Sequence, residues 1–271
     1  MLNNKNNRLL LILIVIVMAC GLLASRIQTS GGQVVITDIK IPTQNGQWVV
    51  GDLFKPRSAT AENPAPLVVV VPGFQRSKEA LANISIELAR RGIVVISIDP
   101  YAQGRSSSSM SRRAATTEGY GMFAVVDYAA SSENLNYIDK SKIAATGHSA
   151  GGNAAIRGGN YFGKQAQLAG EPSKLHSVFV SGYVLTLRED VLKDVRSNIG
   201  VSYAFYDEGA YRNELKNGDM RLAPEALRVV NLGRPSDSPE ITEVELGRYY
   251  GELENRALRV VHNLSLIHIS E

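Results

Sequence analysis

The sequence predicts an α/β fold: a mainly parallel sheet flanked by helices, preceded by an N-terminal apolar membrane helix. Three observations predict it. Short β-branched runs alternate with segments of helical spacing, as in Leu67 to Val71, Lys78 to Arg91 and Ile93 to Ile98. The pentapeptide Gly147-His148-Ser149-Ala150-Gly151 joins an apolar run to a segment that can open a helix. Leu9 to Ala24 carries no charge and no strongly polar group. Alternating strands and helices imply right-handed crossovers and a parallel sheet, whose active residues gather at the carboxyl ends of the strands.

The apolar segment comes first. Sixteen residues at about 1.5 Å each cover roughly 24 Å, slightly short of a hydrocarbon core. Arg8 and Arg26 flank it and can snorkel, so a short retained anchor is expected over residues 9–25. A cleaved signal peptide is less favoured, because Leu22-Leu23-Ala24 is a poor small-x-small site. Val17-Met18-Ala19-Cys20 resembles a lipoprotein site only loosely, since the apolar run continues past the cysteine. Lys5 and Arg8 precede the segment, which places residues 1–8 in the cytoplasm and the following domain outside.

The domain is expected over 33–263. Val34 to Ile41 alternates, Asn45-Gly46 supplies a turn, and Trp48 to Phe54 returns, which reads as a hairpin. Pro56 to Pro66 is a polar connection, and Leu67 to Val71 a strand buried on both faces. Leu81, Ile84 and Leu88 give Lys78 to Arg91 helical spacing, closed by Gly92. Ile93 to Ile98 is the next strand, and a helix is expected within Gly119 to Ala130. Lys142 to Thr146 is the strand before the pentapeptide, with a helix from about Gly152. Ser177 to Ser181, Ile199 to Tyr206 and Ala257 to Val261 complete the strands. The final octapeptide, residues 264–271, looks like the translation of a transposase adaptor used in sequencing libraries. It is therefore set aside, and the natural chain is expected to continue beyond Asn263.

Composition narrows the chemistry. Of 271 residues 44% are hydrophobic and 20% charged, enough to bury a core. A net charge of +3 gives no case for nucleic acid as a partner. A single cysteine, Cys20, excludes an internal disulfide and a Cys/His metal cluster, and no cofactor is expected. Arg90-Arg91 and Arg112-Arg113 read as solvated charge. Tyr101, Tyr120 and Phe123 read as core or loop packing rather than pocket lining.

The pentapeptide carries the chemistry. A serine between strand and helix, with glycines on both sides, is a tight turn that lifts the hydroxyl clear of the sheet. With its flanking segment, Tyr137-Ile138-Asp139-Lys140-Ser141-Lys142-Ile143-Ala144, it resembles the α/β-hydrolase family, in particular its dienelactone-hydrolase-like and acyl-esterase-like branches. Val70-Val71-Pro72-Gly73-Phe74 is similar to that family's oxyanion loop, with Pro72 where many members have histidine. Ile98 to Ser106 keeps part of its Asp-x-x-Gly-x-Gly-x-Ser loop. The resemblance spans about Gln33 to Asn263.

The resemblance implies a serine hydrolase working through an acyl-enzyme on a small-molecule acyl substrate, an ester before an amide. Ser149 is the implied nucleophile, and the N–H groups of Phe74 and Ala150 the implied oxyanion donors. The family's order is serine, acid, histidine. Asp207 is the preferred acid, with Glu208 as substitute; Asp99 precedes the serine and is expected to shape its own loop. Among four histidines, His148 is expected to line the site and His176 to enter a strand at the far end. His268 lies in the excluded tail. His262 ends the last expected strand and is the candidate base. The preferred reading places the true base beyond the truncation, which would leave this fragment with little activity. Two other functions remain open: an extracellular binding domain without catalysis, and an acyltransferase using the same residues.

Overall fold

The computed structural model describes residues 5–111, 113–204, 206–234 and 237–251, and the backbone of 261–265. The strands form one sheet in the order β1-β2-β4-β3-β5-β6-β7-β9-β8. β1 (Val34–Pro42) and β2 (Trp48–Pro56) make the expected hairpin, with Val34 opposite Pro56 and Pro42 opposite Trp48. β2 is antiparallel to β4 (Val94–Ile98). From there β3 (Ala65–Val71), β5 (Ile138–His148), β6 (Ser177–Ser181), β7 (Asn198–Tyr203) and β9 (Val261–Ser265) continue the sheet in parallel. The short β8 (Tyr249–Tyr250) caps the far edge antiparallel to β9.

The period of two in each strand sorts its side chains. Val69 and Val71 of β3 and Ile96 and Ile98 of β4 join the main core with α4 (Met122–Ser131) and α5 (Ala150–Ala169). Val70 and Val95 point the other way, to a smaller cluster with Ala89 of α2 (Ala82–Arg90). Each such buried side chain contributes about 1.5–3 kcal/mol. On the α2 side, β3, β5, β6 and β7 also line an open apolar groove of about 730 Å³ that includes Val68, Val70, Phe179 and Tyr249.

α1 spans Lys5–Gln28 with none of its side chains buried. It is an apolar helix of the kind that serves as a membrane anchor or a signal peptide. Tyr101 and Phe123 are core residues with Tyr120 packed against the core, but contrary to expectation both also line a cavity of about 390 Å³ beside Thr43 and Tyr161. Arg90 and Arg91 are exposed and pair with Glu87.

Several element bounds differ from expectation. The first turn of the helix after β3, Lys78–Leu81, is 3-10, and α2 follows it. β5 begins four residues earlier than Lys142, because Ile138 pairs with Ala65 across a register shift while Asp139 to Lys142 stay accessible at the base of the sheet. β7 stops at Tyr203, so Asp207 lies in the loop after it rather than at its tip. Short helices α3 (Ala114–Thr117) and α6 (Glu189–Leu192) and the longer α7 (Pro224–Leu232) were not anticipated. The last strand is shifted. Residues 257–260 fall outside the described residues, and Val261 begins β9 rather than ending it. Leu264 and Ser265 of the tail set aside above are paired in β9; residues 266–271, His268 among them, are outside the described residues.

Candidate active site

Ser149 sits where β5 gives way to α5, with φ 56° and ψ −117°. A positive φ at a non-glycine residue costs on the order of 1–3 kcal/mol and persists only where the surroundings enforce it. Here they do. The Ser149 N–H donates to the Ser181 carbonyl at 2.9 Å, and its own carbonyl accepts from the Asn153 N–H at 3.0 Å, the first turn of α5. The flanking glycines are required for space. A Cβ on Gly147 would stand 2.4 Å from the Val71 carbonyl oxygen, and one on Gly151 only 1.9 Å from it. The strand-to-helix turn is therefore wedged against the end of β3.

That contact brings the loop after β3 to the serine. A Cβ on Gly73 would lie 3.6 Å from the Ser149 Cβ. Phe74 follows, 66% exposed, so its ring stands at the mouth rather than in the core. Ala150 opens α5, where an N–H has no acceptor within the helix and is free to face a ligand. Ala150 thus adjoins Ser149 directly, and Phe74 follows the glycine that approaches it.

The loop is clamped from behind. Asp99, buried at the end of β4, accepts from the backbone N–H of Lys78 at 2.9 Å and of Arg105 at 2.9 Å. Ser97 Oγ donates to the Lys78 carbonyl at 3.0 Å. The Lys78 ammonium donates to Asp52 at 2.8 Å and Glu79 at 2.9 Å. Burial pulls the Lys78 pKa down, but the hydrogen bonds to Asp52 and Glu79 outweigh it and the net shift is upward. The Ser77 hydroxyl and then Lys78 hold the Glu79 carboxyl down at about 2. Asp99 shapes its loop as expected. Lys78 and Asp52 were not singled out by the sequence, since a lysine at a helix start beside an acidic strand residue has no local signature.

Across the mouth, Gly182 follows β6, and His148 and Asp207 converge on it. A Cβ there would lie 2.8 Å from His148 Nε2 and 3.2 Å from Asp207 Oδ2. The Asp207 carboxylate is fixed by the Gly209 N–H, which donates to Oδ1 at 2.8 Å. Glu208 stands at the rim of the same cavity, its side chain 89% exposed, and pairs with Arg212 at 3.2 Å. A cavity of about 190 Å³ is lined by Ser149, His148, Tyr183, Leu185 and Asp207 among others. The Tyr203 hydroxyl donates to the Tyr183 carbonyl and fixes that wall. Burial raises the Tyr203 pKa well above the usual phenol value, so the donor stays protonated.

The histidines are distributed as follows. His176 precedes β6, its N–H donating to the Ile143 carbonyl and its Nδ1 sharing a 2.6 Å contact with Ser177 Oγ, at the opposite end of the sheet from Ser149. His262 is corrected in position. It is the second residue of β9, paired with Gly200, which stands in register with Phe179 and Thr146. Its backbone is therefore inside the sheet, three residues before the end of β9, and not at a strand tip.

No match to a curated protein was found. Among solved structures, an esterase of Pyrococcus furiosus superposes with a TM-score of 0.50 at 14% identity, over 65% of this chain and 73% of that one. An esterase of Pyrobaculum calidifontis gives 0.49 at 21% identity, over 67% and 71%. A bacterial heroin esterase gives 0.42 at 21%, over 55% and 44%. The chain spans about half the length of the structures it matches first, such as 45% of an α/β hydrolase from Penicillium. At these identities the superpositions speak for the fold alone. A family model described as PET hydrolase-like matches residues 23–217, which include the Phe74 loop, the Ser149 turn and Asp207. The fold is that of the α/β hydrolases, and the chain belongs to the PET hydrolase-like family.

Proposed function

We propose that the protein is a serine hydrolase that cleaves an ester, less readily an amide, through an acyl-enzyme. The family and the fold support ester hydrolysis in general terms. The observation that carries the finer reading is Ser149 at φ 56°, held off the helix with Gly73 and Ala150 beside it. In this reading the Ser149 oxygen attacks the carbonyl carbon, and the developing oxyanion receives the Phe74 and Ala150 N–H groups. Each such donor is worth about 3 kcal/mol of transition-state stabilisation. The alcohol departs with a proton from the base, and water then releases the acyl group.

Asp207 is the proposed acid, favoured over Glu208 because its carboxylate is held by the Gly209 N–H beside His148 while the Glu208 side chain is largely exposed and paired with Arg212 at the rim. The proposed base reaches the site from the end of β9. His262 is the histidine of that strand, and three more strand residues separate it from that end. His148 lines the cavity beside Asp207 in this account. A small acyl substrate fits a 190 Å³ cavity open to solvent. In the membrane reading of α1, Lys5 and Arg8 before the apolar stretch favour a cytoplasmic N-terminus and a domain outside.

Hydrolysis of short-chain p-nitrophenyl esters tests the proposal. Ser149→Ala is expected to lower kcat by about 10⁴-fold or more, to the level left by the remaining site. Retention of wild-type rate in Ser149→Ala would remove the mechanism. Binding of the ester without turnover in the wild type would favour a non-catalytic binding domain. Transfer to an added alcohol in preference to water would favour an acyltransferase.

A further inference from the structure

The exit of α1 from its apolar stretch is built into the base of the domain by arginines. The turn between α1 and β1 is where they converge. Arg57 Nε donates to the Gly32 carbonyl at 2.8 Å, and a Cβ on Gly32 would lie 3.2 Å from Arg26 Nη1. Arg90 Nε donates to Ser30 Oγ at 3.1 Å. Arg91 stands next along α2, more exposed than Arg90 and tied only to Glu87. A guanidinium has five donors, so each of these contacts leaves others for a further anion. Glu87, the carboxylate that Arg90 and Arg91 share, does not balance the four arginines. The collar is thus net positive, and it surrounds the foot of a helix whose apolar side chains are all exposed.

This foot lies at the base of the sheet. Pro56 ends β2 beside the start of β4, Arg57 follows in the turn, and Val94, Leu67 and Ile143 share one level. Ser149 lies at the other end of β5. The five steps from Ile143 to His148 rise about 17 Å, and three strand spacings from β2 to β5 add about 14 Å sideways. A bilayer that holds α1 therefore meets the arginines first, and the serine faces away from it.

Resting on the anchor reading of α1, we infer that Arg26, Arg57, Arg90 and Arg91 seat the base of the domain on anionic phospholipid headgroups of the bilayer that holds α1. The seated domain turns the Ser149 mouth to the aqueous side. Its ester is then drawn from the medium rather than from lipid of the same membrane. Basic residues close to an anionic surface are attracted over about a Debye length, so the docking is salt-sensitive.

The test uses the whole chain in vesicles. Cys20 is the one cysteine, so Cys20→Ser leaves a background for a single nitroxide at Ser58→Cys, by the collar, or Leu185→Cys, by the mouth. Relaxation by a nickel-chelating lipid reports which label lies near the headgroups. In phosphatidylcholine with about 30% phosphatidylglycerol, the Ser58 label should be relaxed more strongly than the Leu185 label. The preference should fall by about fivefold per arginine removed, in Arg91→Gln and Arg57→Gln, and be lost at about 1 M salt. Arg91→Gln leaves the Gly32 contact intact, so it separates headgroup binding from any loosening of the turn. A preference equal in neutral and anionic vesicles, or a Leu185 label nearer the headgroups, overturns the docking while leaving the anchor. A chain that does not float with neutral vesicles at high salt overturns the anchor reading and the docking together.

Discussion

Ser149 and Asp207 are held by backbone contacts rather than by side-chain packing. The serine is fixed by the Ser181 carbonyl and the Asn153 N–H, the aspartate by the Gly209 N–H. In the proposed mechanism such fixing serves the nucleophile and the orienting acid, since the imidazole base of a triad works only in one tautomer. Asp207→Asn is therefore expected to lower kcat by about 10⁴-fold, while Glu208→Gln stays within about threefold of wild type. The reverse ranking in steady-state ester hydrolysis would move the acid to Glu208. His148 stands close to the same carboxylate, which makes it the other histidine to examine. As a lining residue, its change to Asn should cost less than about tenfold in kcat; a loss near that of Ser149→Ala would make it the base.

The elements were legible where local pattern and tertiary need agree. β3 and β4 are continuous β-branched runs because both faces are largely covered, and β6 alternates, with Val178 and Val180 buried in the core while Phe179 faces the open groove. The Ser149 turn was legible because close approach leaves no room for a side chain at Gly147 or Gly151. This predicts that Gly151→Ala, with its Cβ driven into the Val71 carbonyl, destabilises by about 3 kcal/mol or more, read as a lower urea midpoint. An unchanged midpoint would mean that β3 and α5 are not pressed together there. Other features were not legible. The first residues of β5 are polar because they lie at the base of the sheet, so hydrophobic pattern ends before the strand does. The shortened β7 reflects a turn closed by the Asp207 N–H on the Ala204 carbonyl, which no run of residue types announces. The convergence of His148 and Asp207 on Gly182 joins three separate loops and exists only in the folded chain.

At the scale of the molecule, the sheet separates two ends with different tasks. The base carries α1 and the arginine collar, and the mouth carries Ser149. The clamp of Lys78, Asp52, Glu79 and Asp99 lies between β2, β4 and the Phe74 loop, so its state bears on both stability and the oxyanion donors. Glu79 sets an acid limit. Its pKa is depressed to about 2 from 4.5, so its contribution is complete above about 4.5 and is lost as the pH falls towards 2. The thermal midpoint of Glu79→Gln should lie below wild type at pH 7, and the gap should close between pH 4.5 and about 2. A gap that does not change with pH would detach Glu79 from the clamp. The Glu79 side chain is largely exposed, so the effect is expected to be small.

Covalent labelling with a fluorophosphonate, read by intact mass and peptide mapping, tests the central claim most directly. The label reports the activated serine oxygen itself and so needs no knowledge of the natural ester. The account predicts one adduct per chain, on Ser149, and none in Ser149→Ala. No adduct after prolonged exposure of the folded protein, or an adduct that persists in Ser149→Ala, would contradict it.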